Sequence, residues 1–194
     1  MLSTHPEPKL DPRVKRTREL IEDAFMQTIK EKGFQAVSVQ DITQRAGVNR
    51  ATFYAHFEDK YDLLDKSIRQ GFRQEVEKRT LNACHFTMDN LRNLTIAVCE
   101  FVADTNTRCK GVQPQFESLV ETQVREQLHE LLQNWIEQAG SKASAKTAAT
   151  AASWALYGLA LQWTHDKKPL PVERYADEIV PLIASNLQLE EVPA

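Results

Sequence analysis

Apolar residues recur every three or four positions along nearly the whole chain, and no stretch alternates apolar with polar residues for long. The first rhythm marks one face of an α-helix and the second a half-buried strand, so the pattern predicts an all-α fold. Ile21, Ala24, Phe25, Thr28 and Ile29 share one face of a helix from about Arg13 to Lys32, which Gly33 ends. Ser38 followed by Asp41 has the form of a capping box opening a short second helix, Val39 to Ala46. Asn49 suits the cap of a third helix, Arg50 to His56, and Asp59 that of a fourth carrying Leu63, Leu64, Ile68, Phe72 and Val76.

The second half repeats the rhythm with longer periods. Thr87 caps a helix from Met88 to about Asn106, and a basic loop, Arg108 to Gly111, follows. Pro114 opens a helical run to Ala139, with a break expected near Glu121 to Arg125. An Ala-rich helix from about Ser144 to His165 and a last helix from Val172 to about Leu187 complete the chain, and Pro181 is expected to kink or restart the latter. With the break included, about nine helices are expected.

Composition narrows the class. In 194 residues, 42% are hydrophobic and 26% charged, which excludes both a disordered tail and a protein of several membrane spans. Residues 147–164 carry no formal charge, yet six are Ala and several are Thr, Ser or Gln, so a buried interface helix is expected there and no membrane partner. Cys84, Cys99 and Cys109 form no C-x-x-C pair, and His5, His85, His129 and His165 have no ligand spacing; neither a disulfide framework, a metal nor a cofactor is expected. The opening residues, MLSTHPEPKL, lack the apolar run of a secretory signal, which together with the cysteines points to the cytoplasm. No nucleophile, base and orienter spacing and no phosphate-binding Gly-rich loop is present, so no enzyme is expected.

Two short helices joined through Gly47 have the layout of a helix-turn-helix, in which the second helix is presented to a DNA groove. The turn needs a left-handed backbone that glycine adopts without steric cost. Residues 1–60 carry 10 Lys and Arg against 9 Asp and Glu, and the remainder 14 against 18, so the net charge of −3 is held away from this head.

From Arg13 to Asp65 the chain resembles the TetR family of bacterial transcriptional regulators. The residues that carry the resemblance are SVQDITQRAGV, in the second helix and turn, and NRATFYAHFEDKYDLL after it, with Ala46-Gly47-Val48, Phe53-Tyr54, His56-Phe57, Lys60 and Leu63-Leu64 in register. The resemblance implies an N-terminal DNA-binding domain at 1–58, a linking helix at 59–80 and a helical ligand-binding and dimerisation domain at 81–194. Arg50 and Ala51, at the start of the third helix, with Gln40 from the second, are the expected base readers: Arg pairs with G O6 and N7, and Ala meets a thymine methyl. Thr52, Tyr54, His56 and Lys60 match family positions that hold the phosphate backbone. Arg13, Lys15 and Arg16 lead the first helix and are expected to add backbone contacts from a flexible arm. The family often has a small residue where Arg50 stands and Gly or Pro near Ala51, so no relative's base preference transfers.

The remaining chain exceeds what a DNA reader requires. Ala148, Ala152, Ala155 and Leu159 recur at helical spacing and, with Ile179, Leu182 and Ile183, form the expected homodimer interface, which in such regulators sets two recognition helices one DNA turn apart. By resemblance, Phe72, Phe101, Phe116, Leu128, Trp135 and Tyr157 surround the pocket of a small-molecule effector; by physics alone they are a core. The expected function is a homodimeric repressor released from a pseudo-palindromic double-stranded DNA operator by that effector. The alternative is an activator or co-regulator of the same fold acting through a protein partner.

Overall fold

Eight helices follow one another among the described residues of the computed structural model, which are 11–79, 85–108 and 114–189, the side chains at 108 and 114–116 excepted. They are α1 (Pro12–Lys32), α2 (Val39–Ala46), α3 (Arg50–Tyr54), α4 (Lys60–Arg79), α5 (Met88–Arg108), α6 (Pro114–Ala139), α7 (Ala145–His165) and α8 (Val172–Leu187). The expected break near Glu121 to Arg125 is absent. Val120, Val124, Leu128, Leu131, Leu132 and Trp135 keep one face of α6 buried without interruption, so the helix gains nothing by breaking. Nor does Pro181 restart α8, which runs unbroken through it with the proline on the exposed side. There the missing donor is one whose acceptor water can satisfy.

Local chemistry explains the first four helices. Asp11 accepts from the Arg13 backbone N–H at 2.9 Å, so α1 begins at Pro12 and Arg13, Lys15 and Arg16 belong to the helix rather than to an arm. At α2 the Ser38 hydroxyl accepts from Asp41 N–H while the Asp41 carboxylate accepts from Ser38 N–H. Gly47 closes that helix at φ 68°, where the Val48 N–H returns to the Thr43 carbonyl. An added Cβ at Gly47 would meet nothing within 4 Å, so its requirement is backbone conformation and not space. The Asn49 side chain accepts from Thr52 N–H at 2.7 Å and starts α3. Asp59 accepts from the N–H groups of Tyr61 and Asp62, both at 2.8 Å, and starts α4.

Asp41 also pairs with Lys32 Nζ at 2.8 Å, and that ammonium, followed by the Ser38 hydroxyl and N–H, holds its carboxyl well below the usual carboxylate range. A carboxylate stabilised in this way contributes stability above its unfolded pKa and loses it as pH falls toward the folded value. The melting-temperature gap between the wild type and Asp41→Asn is therefore expected to stay constant from neutral pH downward and to begin closing below about pH 4. A gap that ignores pH would show that the Asp41 charge adds nothing to the fold.

A single buried cluster runs from Ile21 in α1 through Leu63, Phe72, Leu94, Leu128 and Trp135 to Ile183 in α8. α4 is the shared element: Leu63 and Leu64 serve the core below α1–α3, while Phe72 meets Phe101 of α5 edge-on at 5.4 Å. Cys99 lies within this core, and burial, then the charge of Glu100, pushes its thiol up to about 12, which leaves it unreactive. Cys84 and Cys109 fall outside the described residues.

Candidate DNA-binding surface

The three N-terminal helices are anchored by Phe53 and Phe57, exposed 0% and 1%, whose rings lie 5.7 Å apart. With Phe53 turned inward, the short α3 must turn Arg50, Ala51 and Tyr54 outward, and all three are exposed, as is Gln40 on α2. Arg50 is held in place by its own helix: an Nη donates to the Tyr54 hydroxyl at 3.3 Å, and the guanidinium lies 6.0 Å from that ring's centre. The Thr52 hydroxyl donates to Asn49 Oδ1 at 3.0 Å and so shares the capping oxygen with its own N–H. His56 is half-buried beside Phe57. Arg13, Lys15 and Arg16 are exposed on the first turns of α1. Arg18 is not of their kind, since it pairs with Glu22 at 2.9 Å and covers the Phe57 ring.

Lys60 has another occupation than the phosphate contact expected of it. Its Nζ donates to the carbonyls of Phe34, Gln35 and Val37 at 3.1, 3.0 and 3.0 Å, and it lies 4.9 Å from the centre of the Phe34 ring. An ammonium has three N–H donors, and all three are taken. Lys60 therefore pins the turn between α1 and α2 to the start of α4. Sequence reasoning missed this role because the three carbonyls gather only once that turn has folded. Arg45 and Glu31 tie the same two helices from the other side.

In the second half the expected groups separate. Leu128 and Trp135 are fully buried, Phe72 is 2% exposed and Tyr157 6%. Burial, then the charges of Glu121 and Glu117, pushes the Tyr157 hydroxyl up to about 12. Phe101 is half-buried, and the side chain of Phe116 lies outside the described residues. Two polar side chains of α6 stand out instead: Gln123 Oε1 and Asn134 Nδ2 are buried without a hydrogen-bond partner. They are eleven residues apart, close to three turns, and so share one face of the helix. A separate cavity of about 530 Å³ lies at the α7–α8 turn, far along the chain from the reading head. Its Trp163 indole and Tyr175 hydroxyl already donate to the Leu170 and Leu159 carbonyls.

The expected dimer residues divide by face. Ala148, Ala152, Ile179 and Ile183 are buried within the chain's own core, because α7 packs against α5, α6 and α8 on that side. That corrects the face: the outward stripe of α7 is Ala151, Trp154, Ala155, Gly158 and Leu159, of which Ala155 and Leu159 were expected, and Leu182 of α8 is 57% exposed. Among the described residues no group of three His, Cys, Asp or Glu is placed to hold a metal ion. No helix there is long and apolar enough to cross a membrane.

A helix-turn-helix head continued through α4 into a helical body defines the class of the bacterial helix-turn-helix regulators. Residues 21–66 match the family described as bacterial regulatory proteins, tetR family. It is similar to the HTH-type transcriptional repressor BepR of Brucella suis, at 28% identity over 89% of this chain and 92% of BepR. It is also 34% identical to an HTH-type transcriptional regulator, YxbF of Bacillus subtilis, over 39% of this chain. That match spans only a fifth of YxbF's length. In fold it resembles the crystal structure of the TetR-family regulator SCO0857 of Streptomyces coelicolor, with a TM-score of 0.67 at 19% identity, covering 93% of this chain and 99% of the other. Members of this family regulate transcription rather than catalyse reactions.

Proposed function

We propose that the chain is a cytoplasmic, sequence-specific DNA-binding repressor that acts as a homodimer and leaves a pseudo-palindromic operator when a small-molecule effector binds. One observation carries the reading: Phe53 is wholly buried while Arg50, Ala51 and Tyr54 on the same short helix face outward, with Arg50 braced by Tyr54. A braced guanidinium loses less freedom on meeting a guanine edge than a free one. In this reading Gln40, Arg50 and Ala51 read bases, while Thr52, Tyr54, His56, Arg13, Lys15 and Arg16 hold phosphates. Lys60 leaves the contact set and preserves the head's shape. The repressor sense follows BepR, which is described as a repressor. The partnerless Gln123 Oε1 and Asn134 Nδ2 supply polar atoms an effector pocket needs among apolar neighbours.

Selection of binding sequences from random duplex DNA, at a stated salt concentration near physiological, tests the proposal. A pseudo-palindromic consensus is expected, and the absence of any consensus from a folded dimer would turn the reading toward a protein partner. Arg50→Ala is expected to relax preference at one operator position in each half-site by about 1–3 kcal/mol while leaving the others intact. An unchanged consensus would remove Arg50 from the base readers.

A further inference from the structure

Tyr54 makes two contacts that a residue serving only to hold phosphate does not need. Its ring stands edge-on to Phe53, with centres 5.4 Å apart and planes at 88°, and Phe53 is wholly buried. One turn earlier on the same face of α3, an Nη of Arg50 donates to the Tyr54 hydroxyl at 3.3 Å, and the guanidinium lies 6.0 Å from the ring centre. The core therefore fixes the ring, and the ring and its hydroxyl fix the guanidinium. With only two side-chain torsions to hold, the tyrosine is the stiffer of the two partners.

A phenolic hydroxyl both accepts and donates, and a guanidinium has five N–H donors. The Tyr54 oxygen accepts from Arg50, and no described residue accepts the hydroxyl hydrogen, which is left for a partner outside the chain. Arg50, with one N–H given to Tyr54, keeps enough donors for two parallel bonds to a guanine edge. Between exposed groups in water a bond of 3.3 Å contributes little to the fold, so its effect belongs to the bound state. There water is displaced, and a hydroxyl that donates to a charged oxygen becomes a better acceptor, because the two bonds polarise each other.

We propose that Tyr54 is a positioning residue for base readout: its hydroxyl donates to one backbone phosphate and accepts from Arg50, so that a single phosphate contact sets where the guanidinium meets a guanine edge. The proposal rests on the DNA-binding reading and extends it, since a phosphate contact by itself carries no sequence information.

The operator pair in question is the one at which Arg50→Ala relaxes preference. Tyr54→Phe keeps the ring and its contact with Phe53 and removes only a hydroxyl from a residue that is 50% exposed, so the melting curve is expected to stay unchanged. At that pair the ratio of Kd for an altered operator to Kd for the selected one is expected to fall by roughly three- to tenfold, while the ratios at other pairs keep their wild-type values. In the Arg50→Ala background the same substitution is expected to cost no further discrimination there. With the wild-type protein, replacing the half-site phosphates one at a time by neutral methylphosphonate is expected to show one position at which that ratio falls. Equal weakening of all sequences by Tyr54→Phe, a further loss in the double variant, or no phosphate whose neutralisation changes the ratio would overturn the proposal and leave the DNA-binding reading standing. A consensus indifferent to Arg50→Ala overturns it as well, and the absence of any consensus overturns both.

Discussion

Lys60→Met is expected to lower the stability of the protein by about 3 kcal/mol, although it removes only one charged side chain from the surface of a head rich in them. The methionine keeps the apolar stem, so the loss isolates the three hydrogen bonds to the Phe34, Gln35 and Val37 carbonyls and the ammonium's contact with the Phe34 ring. Two of those carbonyl bonds are half-buried, and water cannot replace the donor freely there. For a chain of this length the change corresponds to a fall of roughly 6–12 °C in Tm, read by thermal melting. The folded fraction is expected to bind DNA with an unaltered salt dependence, since a phosphate contact contributes a slope of about 0.9 per ion and none is lost. A stable variant with a shallower slope would restore Lys60 to the DNA surface.

The second large effect concerns assembly. Gly158→Glu combined with Leu182→Glu is expected to convert the proposed dimer to a folded monomer, measured by sedimentation at micromolar concentration. Gly158 is exposed with nothing within 4 Å of an added Cβ, and Leu182 is 57% exposed, so neither carboxylate disturbs the protomer. Replacing a mid-helix glycine even favours α7 by about 0.5 kcal/mol. Across a two-fold interface the same carboxylates would be buried without partners, at a cost of several kcal/mol. With one recognition helix per particle, operator affinity is expected to fall by roughly a hundredfold or more, because the second half-site no longer binds in concert. A double variant that stays dimeric would place the interface elsewhere than on the outer stripe of α7 and Leu182.

The starts of α2 and α3 were legible because they are set by short-range chemistry, while α3 ends at Tyr54, two residues short of the expected His56. The Ser38–Asp41 box, the Asn49 cap and Gly47 at φ 68° act within four residues of themselves, so the chain needs no tertiary partner to place α2 and α3. The same holds for the inward Phe53, whose neighbours on α3 then have no choice but to face out. α7 was legible as a helix but not as a face. Alanine, serine and glycine occur all around it, so the hydrophobic pattern has two nearly equal stripes, and Ala148 and Ala152 went to the core while Ala151 and Gly158 stayed outside.

The sequence by itself determined an all-α chain, its helix starts and which residues of α3 face outward, since periodicity and capping are local properties of the polypeptide. Tertiary structure alone decided that Lys60 caps a turn from more than twenty residues away, that α6 runs unbroken over the core, and that α1 and α5 leave a groove across Gly71. Each of these depends on where distant segments meet, and that is settled by packing the whole core rather than by any stretch of it.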